Sequence, residues 1–77
     1  MIHELEILPE YFTAIKQGRK RFEIREKRDR DFKVSDTLHL HCGTEMIRAR
    51  VTYITSYGMK PDYICMSIKR LYNRRLK

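Results

Sequence analysis

"LPEYFTAIKQGRKRFEIRE", residues 8–26, changes its hydrophobic period partway along, and that change decides how the chain folds. In its first half Leu8, Tyr11, Phe12 and Ile15 recur at helical spacing, Pro9 occupies the first turn, where a missing N–H is harmless, and Gly18 stands where a left-handed C-terminal residue belongs. These features predict a helix of about two turns. From Lys20 the period is two: Phe22 and Ile24 alternate with Arg21, Glu23 and Arg25, which is a strand pattern. Alternation assigns Phe22 and Ile24 to the core face and sends Glu23 and Arg25 together to the opposite face, as a polar pair outside the core. Lys20, three positions before Glu23, reaches that face only from an irregular helix-to-strand junction, and Gly18 supplies the irregularity.

Outward from this stretch the pattern remains that of strands. "HELEI" before the helix alternates, and "EKRDRDFKVSD", residues 26–36, lacks any apolar period and reads as a loop closing on Phe32 and Val34. "TLHLHC" aligns Leu38, Leu40 and Cys42 on one face, "MIRARVTYIT" aligns Ile47, Ala49, Val51 and Tyr53, and "YICMSIKR" aligns Ile64, Met66 and Ile68. Five strands and one early helix predict an α+β, mostly β fold: a small mixed five-stranded β-barrel that the N-terminal helix plugs or flanks. With 77 residues, no internal repeat and no Ser/Gly linker, residues 1–77 are expected to form one domain.

The opening "MIHELEILPE" has no basic leader, and no apolar run approaches the roughly 18 residues of a membrane span, so a cytoplasmic protein with no membrane association is expected. Cys42 and Cys65 show no metal-ribbon or disulfide spacing and are expected to be reduced, buried thiols. The net charge of +7 is unevenly spread: residues 1–15 carry three acids and no bases, residues 16–33 nine bases and four acids, and residues 69–77 five bases and no acid. Two basic blocks make a polyanion a fair partner, because neutralised phosphates release counterions.

Inside the first basic block lies G-x-K-x-x-E-x-R: Gly18, Lys20, Glu23 and Arg25. This resembles the signature of the ASCH domain, a branch of the PUA-like barrels. "LPEYFTAIKQG" resembles the helix that precedes it, "DFKVSDTLHL" the family's F-K-V-G-D-x-L turn and strand, and "YGMKPDYICMSI" the closing segment of a small bacterial and phage subgroup of unknown function. Ser35 departs from the pattern by standing where the family usually has Gly, at a cost of about 1 kcal/mol if positive φ is needed there. The resemblance implies a PUA-like barrel that binds RNA or a nucleotide in a cleft beside the motif.

The chemistry of the residues suits that expectation. Arg25 can bind phosphate or stack on a base, Glu23 can accept from an exocyclic amine or a ribose hydroxyl, and Lys20 supplies a mobile charge. Arg19 and Arg21 fill variable positions within the motif, on either side of Lys20, Arg74 and Arg75 in the tail "KRLYNRRLK" can add phosphate contacts, and of Tyr53, Tyr57, Tyr63 and Tyr72 the loop residue Tyr57 is the expected stacker. Neither Lys20 nor Arg25 is expected in the core. As an alternative, part of the wider ASCH group hydrolyses N4-acetylcytidine, with the motif lysine, a threonine and a distal glutamate. Only the lysine transfers, as Lys20, since Glu23 takes the threonine's place and the segment "TSYGMKPD" is too short for the insertion bearing the glutamate. Catalysis is therefore not the expected role, and a strand edge offers Lys20 and Glu23 little desolvation with which to act as an acid/base couple. A protein-interaction module is a third reading, with a monomer or weak homodimer expected. His39 and His41 share a strand face at chelating spacing, but sequence places no further ligand beside them, whether His3 or Cys65, so neither metal nor cofactor is expected.

Overall fold

The computed structural model describes residues 1–28 and 30–72. Five strands and one helix follow in the order β1 (Ile2–Glu6), α1 (Pro9–Lys16), β2 (Phe22–Glu26), β3 (Thr37–Cys42), β4 (Glu45–Thr55) and β5 (Tyr63–Leu71). The strands form one mixed sheet of order β1-β3-β4-β5-β2, parallel between β1 and β3 and antiparallel elsewhere. The sheet curls into a half-barrel with β1 and β2 as its two edges, as the sequence pattern predicts.

The core fills the concave side. Leu38 and Leu40 of β3, Ile47, Ala49 and Val51 of β4, and Ile64, Met66 and Ile68 of β5 are all buried, as their alternation requires. From α1, Phe12 and Ile15 complete that core while Leu8 and Tyr11 stay exposed. The helix ends as the sequence indicates: Gly18 adopts φ +81°, and the Gly18 and Arg19 amides donate to the carbonyls of Ile15 and Ala14, satisfying groups that a helix end leaves unpaired. Between β2 and β3, Phe32 is buried but Val34 is exposed, and Ser35 adopts φ +83°, the left-handed conformation that a glycine would occupy without strain.

Two assignments of faces are corrected. On β4 the register slips between Val51 and Tyr53 at a β-bulge, so Tyr53 turns to solvent and Ile54 packs against the core in its place. On β2 the inversion is complete: Glu23 is buried at 5% exposure, whereas Phe22 and Ile24 are exposed. The cause is pairing with β5, which sets Glu23 opposite fully buried Met66 and Arg25 opposite Ile64, while Phe22 and Ile24 meet Ser67 and Cys65 on the convex side. Cys42 and Cys65 are free and half-buried rather than buried. No helix among the described residues is long and apolar enough to cross a membrane.

Candidate functional site

A carboxylate on the core face of a strand needs partners, because an unpaired buried charge costs several kcal/mol. Glu23 has two. Lys20 Nζ lies 3.1 Å from its Oε1 and Arg25 Nε donates to its Oε2 at 2.7 Å. Lys20 reaches inward because the left-handed turn at Gly18 carries the chain off helical geometry just before β2 begins, and its Nζ also donates to the Phe22 carbonyl at 2.7 Å. Its ammonium sits 4.6 Å from the centre of the Phe22 ring and 5.2 Å from that of Tyr11, within cation–π range. The Lys20 side chain is only 13% exposed, so the mobile charge expected of it is held in place, and the strand edge buries Lys20 and Glu23 more than expected.

Arg25 does a second task. Its Nη2 donates to the main-chain carbonyl of Glu6 at 2.7 Å, linking the β2 edge to the β1 edge across the open side of the half-barrel. Arg30, in the loop after β2, makes a similar contact to the β1 edge, with Nη1 3.0 Å from the Glu4 carbonyl. Between the two edges lies a cleft of about 510 Å³, whose lining includes Glu23, Arg25, Tyr11, Tyr63, Arg28 and Arg30. That volume falls within the range of small-molecule sites, about 300–1,000 Å³. Lys20 lines a second groove of about 460 Å³ together with Gly18, Arg21, Lys69, Arg70 and Tyr72, with no acid among its lining residues. The ion pair of Lys20 with Glu23 thus joins an amphoteric cleft to a purely basic groove.

The sequence-predicted residues divide accordingly. Lys20, Glu23 and Arg25 come together, Arg21 lines the basic groove, and Arg19 points to solvent with its Nε donating to Gln17. Tyr57 is 93% exposed in the β4–β5 loop and lines neither opening, while Tyr72 lies under the Arg70 guanidinium in the basic groove. Arg74 and Arg75 lie outside the described residues. Sequence reading missed Tyr11, which the helical pattern assigned to the core, and Arg28 and Arg30, which an unpatterned loop conceals.

At the far edge of the sheet a second buried carboxylate has a different company. Asp36 accepts from His3 Nε2 at 2.8 Å and from the Lys33 amide at 3.0 Å, both through Oδ2, and the His3 ring lies 4.5 Å from that of Phe32. Burial pushes the Asp36 carboxyl up, but the hydrogen bonds from His3, the Lys33 amide and the terminal ammonium outweigh it and hold the group below its ordinary value.

Comparison with known proteins agrees on the fold and stops short of an activity. The hypothetical protein PH0355, whose crystal structure superposes with a TM-score of 0.71 at 17% identity, matches 92% of this chain and 100% of its own. An uncharacterized 12.9 kDa protein in the GpA 3' region of Escherichia phage P2 is 37% identical over 72 residues, covering 84% of this chain, and the chain spans 65% of that relative's length. A family model described as a domain of unknown function, DUF3850, matches residues 2–68, which take in α1, the Gly18–Arg25 motif and all of β1 to β4: the chain belongs to the DUF3850 family.

Proposed function

We propose that this domain binds RNA or a nucleotide, with a base in the cleft between β1 and β2 and the phosphates running over Lys20 into the basic groove. The observation that carries the reading is Glu23, a buried carboxylate clamped between Lys20 and Arg25 where the two openings meet. Each Glu23 oxygen uses one acceptor site on its cation, and a carboxylate has about four such sites, so capacity remains for a base amine or ribose hydroxyl. Arg25 commits Nε and Nη2 to protein acceptors, which holds its planar group still and leaves stacking as its best contribution, with Tyr11 and Tyr63 in the same lining. Arg21, Lys69 and Arg70 are the phosphate contacts of this reading. The resemblance of the motif to the ASCH and PUA-like signature supports the same ligand class.

The test is an NMR titration with nucleosides, nucleotides and short RNAs. Chemical-shift changes gathering at Tyr11, Glu23, Arg25 and Tyr63 are expected, with nucleotides exceeding nucleosides through Lys20 and Arg21. Changes confined to residues 69–77 would mean charge attraction alone and would remove the cleft from the proposal.

A further inference from the structure

His39 and His41 lack a third partner in sequence, and the strand register supplies one. Glu4 pairs with His39 in the parallel β1–β3 ladder, so its side chain emerges on the same convex face as both imidazoles. One carboxylate bridges the two rings: Oε2 lies 3.1 Å from His39 Nδ1 and Oε1 lies 2.6 Å from His41 Nε2. The three donor atoms all lie within 4.8 Å of one another. A tetrahedral zinc ion with bonds of about 2.0–2.2 Å holds its ligands about 3.3 Å apart, so the cluster needs only a small contraction to close on a cation.

The surroundings favour a cation in spite of the basic chain. The segment 1–15 carries acids only, and Glu6 continues the same face in register with His41. On the other flank Met46 pairs with His41 and Arg48 with His39. Glu4 and His41 are well exposed, at 62% and 36% of their side-chain surface, and His39 reaches solvent at 19%. Neither cysteine belongs to the cluster.

We propose that Glu4, His39 and His41 form a surface site for a divalent transition-metal ion, of two-histidine, one-carboxylate type, with its remaining positions open to water or an exogenous ligand. Imidazole donors select zinc, copper or nickel over magnesium and calcium, which take oxygen ligands. The ion joins β1 to β3 by side chains as well as by the backbone ladder, so binding raises the melting temperature.

The full chain, free of any histidine tag and treated with chelator, is titrated with zinc chloride by calorimetry and by NMR of the imidazole resonances. One equivalent of zinc is expected to shift His39 and His41 but not buried His3, and to leave magnesium without effect. Glu4→Gln, which barely changes shape, should weaken zinc binding at least ~10-fold, and His39→Ala with His41→Ala should abolish both binding and the zinc-induced rise in melting temperature, with circular dichroism unchanged. Zinc uptake that survives the double histidine variant, that disappears in Cys42→Ser with Cys65→Ser, or that is absent at millimolar zinc overturns the site.

Discussion

Glu23 and Asp36 are both buried carboxylates, and the domain treats them in opposite ways. Asp36 is held by an imidazole wedged beside Phe32 and by a backbone amide, with the exposed terminal ammonium 3.2 Å from its other oxygen. Glu23 is held by the tips of two long cations, each of which also donates to a main-chain carbonyl, and it lines an open cleft. Rigid short-range partners make a carboxylate into a joint of the fold. Long partners that reach in from the rim of an opening leave one beside a cleft. Burial alone does not separate the two roles; the reach of the partners does.

The sharpest way to break this comparison is to remove the partners rather than the acids. Lys20→Ala with Arg25→Ala leaves Glu23 facing Met66 with no counter-charge, and the domain should lose about 3–5 kcal/mol in a denaturant melt. Asp36→Ala strands the His3 ring nitrogen and the Lys33 amide instead, at about 2–4 kcal/mol. Acid reaches the same joint more gradually. The Asp36 carboxyl is held below its ordinary value, so its contribution is complete above the ordinary carboxylate range of about 4 and is lost as pH falls through the lowered one; melting temperature followed from pH 6 to pH 2 should drop at the acid end, and less in Asp36→Ala.

Glu23→Met sharpens the comparison from the other side. With an apolar residue opposite Met66 and the two cations keeping their main-chain carbonyl partners, stability should stay within about 1 kcal/mol of the parent, while the NMR shifts expected at the cleft disappear. Retained binding in a well-folded Glu23→Met protein would make the carboxylate a packing curiosity. Smallest is Ser35→Gly, beside Asp36: relief of the left-handed strain at φ +83° should raise stability by about 0.5–1 kcal/mol and leave binding alone.

Much of this was readable from the chain. The helix, its Gly18 terminus, and the inward faces of β3 and β5 follow from periods of 3.6 and 2 because those elements bury one apolar side against a single core. β2 defeated the same rule. Its alternation is genuine, but an edge strand on a half-barrel has a convex side where Phe22 and Ile24 can remain exposed, and only the pairing with β5 reveals which side faces in. The β4 bulge was equally hidden, since one unpaired residue changes the phase without changing the composition. Within the site, local spacing was enough to group Lys20, Glu23 and Arg25, which lie within six residues of chain. Contributions from distant strands and loops, such as Tyr63, Arg30, or Glu4 beside the histidines, depend on register, which no local pattern encodes.

The arginine links across the open side carry one more consequence. A sheet that does not close leaves two edge strands, and bare edge carbonyls are templates on which a neighbouring molecule can add a strand. Arg25 and Arg30 occupy the carbonyls of Glu6 and Glu4 on the β1 edge. They cover those carbonyls as well as walling a cleft, and a ligand that drew Arg25 away from Glu6 would uncover part of the edge to which another copy of this small domain can add a strand.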